Sequence, residues 1–328
     1  MDLDVVFLGT SASMPTAQRS PAALLVRRGG ERLLFDCGEG TQRQMLRSSV
    51  GLIELKEVFL THFHADHVLG LPGMLKSFAL RGRDERISVY GPRGLRELFV
   101  VLRPLLGRLP YGVDLHELGP GDTLHRGEYR LSVFRAEHGT SSVGYVLDEE
   151  PRPGRFDVET ADALGVPNGP ERGLLQHGEP LTLADGRVVT PDEVLGPARP
   201  GRKLVLAGDT APSPHVVEAA RDADLLVHEA TFTEDERERA RETLHSTAAD
   251  AAQVALAAQV GMLALTHVST RYFGPELARE ARAIFPETVV PRDFDVIELP
   301  FPERGGPQLV KGGALGDRSG EPVSSAAE

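Results

Sequence analysis

Apolar positions alternate with polar ones over the first 150 residues, in runs too short for long helices. "DVVFLGT" (4–10), "AALLVRRGGERLLFDCG" (22–38, broken by a Gly-Gly turn) and "EVFLTH" (57–62) read as strands. "HVLGLPGMLKSFAL" (67–80) changes to helical spacing, after which "RISVYGP", "YRLSVFRAEH" and "SVGYVLDEE" return to strands. Between residues 149 and 201 the pattern lapses into proline- and glycine-rich chain without a sustained apolar face, which predicts an insertion. Strands resume with "KLVLAGDT" and "DLLVHEATF". "STAADAAQVALAAQVG" (246–261) predicts a helix capped by Ser246 or Thr247 and stopped at Gly261. "MLALTHVS" is the last buried strand, and the tail from about residue 301 is polar and glycine-rich, predicting disorder. The expected organisation is one domain over 1–300, with 149–201 inserted into it as a flexible arm, followed by a disordered tail over 301–328.

Composition narrows the class. A chain of 328 residues with 41% hydrophobic and 26% charged residues can bury a large core. No apolar run approaches the ~18 residues of a membrane helix, so no membrane partner is expected. The acidic start "MDLDVVFLGT" is unlike a secretory signal, and the single cysteine, Cys37, excludes an internal disulfide; together they predict a cytoplasmic protein. A net charge of −12 argues against a general nucleic-acid coat. Locally, residues 76–108 carry eight basic side chains against three acidic ones, a run that most simply reads as solvated surface.

The chemistry concentrates where strands give out. "THFHADH" (61–67) holds His62, His64, Asp66 and His67 directly after an apolar strand. In extended chain alternate residues share a face, so His62 and His64 can meet one ion while Asp66 and His67 reach a second. Imidazole with carboxylate, rather than cysteine, suits a hydrolytic site that leaves coordination open to water. His138, Asp209 and His267 each stand at the end of another apolar strand, and together they complete a ligand set for two metals sharing a carboxylate.

Longer strings sharpen this reading. "FLGTSASMP", "FDCGEGTQRQM", "AEHGTSSVGY", "AGDT", "HEATF" and "LTHVSTRY" resemble the ribonuclease Z family of the metallo-β-lactamase superfamily, over residues 3–300. The resemblance implies an α/β fold: an αββα sandwich of two mixed sheets flanked by helices, with a protruding arm. It implies two Zn2+ ions per subunit, one held by His62, His64 and His138, the other by Asp66, His67 and His267, with Asp209 bridging. It implies that Asp66 also acts as general base, and that Glu229 and His245 pair to protonate the leaving 3′ oxygen. The expected activity is endonucleolytic removal of 3′ trailers from precursor tRNA, cut just 3′ of the discriminator, by a homodimer that does not act on DNA. The competing expectation is a hydrolase of small phosphodiesters or thioesters on the same scaffold, which would have no need of the arm.

Two departures stand out. The 149–201 segment keeps the family's Gly-Pro pair at Gly169 and Pro170 but has no lysine, and its arginines are outnumbered by acids. In "MPTAQRSP", Pro15 and Arg19 match a Pro-x-Lys-x-Arg-Asn loop of relatives, whereas Ala17 and Ser20 replace its lysine and asparagine.

Overall fold

The computed structural model describes residues 1–52 and 55–312. In chain order the strands are β1 (Leu3–Gly9), β2 (Ala23–Arg28), β3 (Glu31–Phe35), β4 (Glu57–Phe59), β5 (Ile87–Gly91), β6 (Val113–Glu117), β7 (Thr123–His125), β8 (Tyr129–Arg135), β9 (Val143–Glu149), β10 (Leu181–Thr182), β11 (Val188–Val189), β12 (Lys203–Leu206), β13 (Leu225–Glu229), β14 (Met262–Thr266), β15 (Thr288–Val289), β16 (Val296–Glu298) and β17 (Gln308–Val310). One mixed sheet runs β17-β16-β1-β2-β3-β4-β5-β6 and the other β15-β14-β13-β12-β9-β8-β7.

The alternation in the sequence becomes two packed faces. Phe7, Phe35 and Phe59 of the first sheet meet Tyr145, Leu147, Leu206 and Val227 of the second in a central core. There Phe59 stacks between Phe35 at 5.0 Å and Tyr90 at 4.5 Å, with Tyr145 edge-on. The opposite face of the first sheet is covered by helices Thr41–Arg47, Gly70–Leu80 and Leu95–Leu106. That of the second sheet is covered by Pro214–Ala220, Ala248–Ala258 and Gly274–Arg282. The result is the four-layer αββα sandwich.

Parallel pairing decides where chemistry can gather. β3, β4, β5 and β6 run parallel in the first sheet, as do β12, β13 and β14 in the second. Loops after parallel strands emerge at one sheet edge, the usual location of a site in open α/β sheets. Among the described residues no helix is long and apolar enough to cross a membrane.

Three local expectations need revision. The helix over 248–258 is capped by Thr247, whose side chain and that of Asp250 form a capping box, but it ends at Gln259 in the left-handed region rather than at Gly261. Gly261 is required for another reason: a Cβ there would lie 2.8 Å from the Asp224 carbonyl oxygen. The insertion between β9 and β12 is also better ordered than its composition suggested. Helices Val158–Leu164 and Pro170–Gln176 and the β10–β11 hairpin enclose a small core of Ala161, Val166, Leu175, Leu181, Val189 and Val194. Finally, the tail is not structureless from residue 301. Pro302–Arg304 forms a 3-10 turn and β17 pairs with β16, because hydrogen bonds to a strand already in place order the segment without a local apolar pattern. The remainder of the expected disordered stretch, 313–328, lies outside the described residues.

Candidate metal centre

Three strand ends, a one-turn helix and the β8–β9 connection supply the site. His62 follows β4, Asp66 and His67 sit on the one-turn helix Ala65–Val68, and His64 precedes that turn. His138 lies between β8 and β9, Asp209 beyond β12 and His267 just beyond β14. Gly208 lets the Asp209 loop close over the cluster: its φ is +67°, and a Cβ would press within 3.0 Å of Thr61.

The seven predicted ligand residues converge. His62, His64 and His138 bring donor atoms within 4.8 Å of one another, as do His62, His67 and Asp209, and likewise Asp66, His67 and His267. Asp209 Oδ2 stands 3.3 Å from His67 Nε2, 3.2 Å from His267 Nε2 and 3.9 Å from His62 Nε2. One carboxylate oxygen therefore faces three imidazoles, a central placement between the two groups.

Outer hydrogen bonds fix which nitrogen of each ring faces inward. Thr231 Oγ1 donates to Glu229 Oε2 at 2.6 Å, so toward His267 Nδ1, 2.8 Å away, it can only accept. Thr61 Oγ1 donates to Asp36 and accepts in the same way from His62 Nδ1 at 3.0 Å. His67 Nδ1 donates to Asp36 Oδ2 at 2.7 Å, and His138 Nδ1 to the Leu244 carbonyl at 3.0 Å. Each neutral ring then presents Nε2 as a bare lone pair. One lone pair meets another acceptor, His267 Nε2 lying 3.2 Å from Asp66 Oδ2, and His138 Nε2 faces His64 Nδ1 at 3.1 Å. The buried His62 Nε2 and His67 Nε2 have no hydrogen-bond partner among the described residues. Bare acceptors gathered around one carboxylate, with outer partners orienting four of the five rings, are the donor set of a metal site.

Electrostatics follow from the same packing. Burial, helped by the neighbouring His67, pushes His62 down to about 2, so it stays a neutral donor. Burial opposes a proton on His67, but Asp209 and Asp36 outweigh it and hold the ring well above the ordinary imidazole range. Those carboxylates favour positive charge at this point, whether proton or cation. Burial also opposes ionisation of Asp66, yet the adjoining His267 and His67 hold it down at about 2.

Glu229 and His245 lie beside the cluster as a pair. Glu229 is buried at the end of β13, and its Oε1 is 2.7 Å from His245 Nδ1 and accepts from Thr210 N at 2.9 Å. Burial works against the His245 cation, but the Glu229 charge lifts the ring to about 9. The His245 ring sits 4.8 Å from that of His138 and 5.4 Å from that of His267. His228, by contrast, turns away, with Nδ1 bonded to the Glu229 carbonyl at 2.8 Å.

Sequence reasoning passed over Asp36, Thr61 and Thr231, which orient three of the imidazoles. Asp36 had a signal: it is an acid where an apolar strand ends, and the structure gives it a φ of +57°. Arg271, just beyond His267, is tied to Glu236 at 3.0 and 3.1 Å. Arg19, matching the relatives' loop, is turned inward to Thr10 Oγ1 at 2.6 Å and the Pro291 carbonyl at 2.8 Å.

Comparison with known proteins places this geometry. A family model described as anti-Pycsar protein Apyc1 matches residues 3–150. The structure superposes on YhfI of Bacillus subtilis, a metallo-β-lactamase fold protein, with a TM-score of 0.67 at 18% identity, covering 90% of this chain and 99% of that one. The fold and the inward-facing histidine and aspartate set thus define the class, a metallo-β-lactamase-fold protein with a site built for metal. Human tRNase Z, short form, is 28% identical with a TM-score of 0.66 over 90% of this chain and 99% of its own. Ribonuclease Z of Myxococcus xanthus is 48% identical over 303 residues, 91% of this chain and 98% of the relative. The chain belongs to the ribonuclease Z family.

Proposed function

We propose that the protein is a zinc-dependent endoribonuclease that hydrolyses precursor tRNA just 3′ of the discriminator, leaving a 3′ hydroxyl on the tRNA. The observation that carries this reading is the convergence of oriented Nε2 lone pairs around Asp209. His62, His64 and His138 would hold one zinc ion and Asp66, His67 and His267 the other, with Asp209 between them. When bound, zinc makes hydroxide available near neutral pH and offsets charge on the phosphoryl oxygens.

The chain's own groups then divide the proton work. Asp66, ionised and at the rim, orients the attacking water and takes its proton as the new P–O bond forms. His245, its Nδ1 held by Glu229, carries a proton on the opposite ring nitrogen. It delivers that proton to the 3′ oxygen as the old P–O bond breaks. The 149–201 arm grips the RNA away from the scissile bond, in a homodimer working in the cytoplasm.

The test is a trailer-release assay. Purified protein should free the 3′ trailer from a precursor, Asp66→Ala should not, and elemental analysis should find two zinc ions per chain. A metal-loaded wild type that leaves the precursor intact would overturn the proposal. A hydrolase of small phosphodiesters or thioesters on the same scaffold is the second reading; the observation on its side is that the family model matches residues 3–150 and stops where the arm begins, so that match does not call on the arm. Turnover of bis(p-nitrophenyl) phosphate and of a thioester, compared with that of the precursor, separates the two.

A further inference from the structure

The arm joins the body through a two-chain neck. Arg152 and Arg199 pair across it, with N–O distances of 2.8 and 2.9 Å, and Phe156 faces Leu195 one step further out. The arm's apolar core is separate from the three clusters of the sandwich. Asp157 N and Gly196 N add bonds to the Val194 and Arg155 carbonyls at 2.7 and 2.9 Å, but no continuous ladder forms, so a two-chain neck of this kind resists stretching better than bending.

The segment following Leu299 supplies what the neck lacks. Glu303 Oε1 accepts from Arg152 Nη1 at 3.0 Å and from Arg199 Nη1 at 3.2 Å, and its Oε2 accepts from Arg152 Nη2 at 2.8 Å. A single carboxylate thus holds both sides of the neck. The Arg152 guanidinium lies 3.4 Å from the centroid of the Phe301 ring, and that of Arg202 lies 4.0 Å away. Arg202 is buried, held by Glu149 at 2.7 and 2.8 Å, and donates to the Leu299 carbonyl at 2.9 Å. The segment is anchored at both ends, by Leu299 N to the Leu3 carbonyl at 2.8 Å and by the pairing of β17 with β16. Its hydrogen bonds with Arg152 hold the Glu303 carboxyl at about 2, so it is ionised wherever the protein is folded and active.

We infer that Phe301–Arg304 is a clasp that fixes the angle of the arm against the sandwich, at the ends of β9 and β12 away from His138 and Asp209, making Glu303 and Phe301 positioning residues for an RNA held by the arm. This rests on the reading of the arm as an RNA grip. The clasp touches neither the ligand residues nor the scissile bond, so its loss should alter how a long substrate is presented and leave the chemistry alone.

Glu303→Arg, Glu303→Gln and Phe301→Ala in the full chain test this by three readouts. Hydrogen exchange of neck amides 152–156 and 195–199 should quicken. KM for a trailer-bearing precursor should rise roughly tenfold in Glu303→Arg, with kcat within about twofold, since a freer arm lowers the effective concentration of RNA at the site. Turnover of bis(p-nitrophenyl) phosphate should be unchanged. Glu303→Gln, which keeps an acceptor, should fall between, and serves if Glu303→Arg does not fold. Unchanged neck exchange would show that no clasp exists; quicker exchange with an unchanged KM would overturn its role toward RNA. A wild type that hydrolyses the diester but not the precursor would sink the nuclease reading and the RNA half of this inference together. A wild type that cuts the precursor, beside variants with unchanged KM, sinks the clasp alone.

Discussion

The metal rim and the arm solve opposite problems with the same kinds of residue. At the rim, His62, His67, His138 and His267 each have one ring nitrogen engaged outward, leaving the other bare and aimed inward. In the arm, charged groups are engaged with one another. Arg172 pairs with Asp162, Arg187 with Asp185, and Arg152 and Arg199 with Glu303. Among the described residues Arg155 makes no such contact. The rim is organised to leave a charge demand unmet, whereas four of the arm's five arginines are already paired. Chemistry and recognition should therefore be separable, the first sensitive to single atoms and the second to the placement of a whole module.

The sharpest way to break that comparison is His245→Ala. Losing a positioned general acid should lower kcat for the precursor by about 10²–10⁴. The same variant should spare bis(p-nitrophenyl) phosphate, because p-nitrophenolate departs without a proton near neutral pH. Equal losses on both substrates would show that His245 supports the metal site and does not serve the leaving group.

Next in size is Asp36→Asn, which touches no substrate. Asp36 accepts from His67 Nδ1 at 2.7 Å and from Thr61 N at 2.8 Å, so it orients His67 directly and His62 through Thr61. An amide accepts more weakly and can turn a donor toward the ring. Zinc affinity should fall by about 10–100-fold, as for other outer partners of metal-ligating histidines, and excess zinc should restore turnover. Zinc titration monitored by chelator competition measures it; unchanged affinity would mean the outer shell does not matter here.

Most of the rim was legible in the sequence and little of its support was. "THFHADH" advertises itself because the donors are contiguous, and His138, Asp209 and His267 because each interrupts an apolar run. Asp36 in "FDCGEG" and Thr231 in "HEATF" look like turn residues; they matter through partners 31 and 36 positions away, which no local pattern encodes. The Leu244 carbonyl that orients His138 has no side-chain signature at all. The tail misled for a related reason: "PERGGPQLV" has the composition of loose chain, and its order comes from β16 and the arm neck. Alternation revealed the strands, their division into two sheets came from the resemblance, and their order is seen only in the structure, since pairing is long-range.

Leu175→Ala probes the arm as a module. Leu175 is fully buried in the arm's own core, and deleting its side chain there should cost about 2–5 kcal/mol of local stability. Because that cluster is separate from those of the sandwich, exchange should quicken only within about 150–200, the main thermal transition should stay in place, and diester turnover should persist. A lowered main transition would mean that the arm and the sandwich unfold as one unit.

The smallest expected effect is a gain. Glu179 lies exposed between Gly178 and Pro180, beyond the helix Pro170–Gln176, and repels any phosphate brought near it. Glu179→Lys reverses that charge in an arm with no lysine of its own. If the arm meets the RNA backbone on this face, precursor affinity should rise by about twofold to fivefold at low salt, and one added phosphate contact should steepen log K against log salt by about 0.7–0.9. A salt series of binding isotherms measures both together. Tighter binding without a steeper slope would mean that the lysine acts by relieving repulsion at a distance. No change in either would place the RNA on the opposite face of the arm, and the same substitution at Asp192, exposed in the turn Pro191–Val194, is then the next to make.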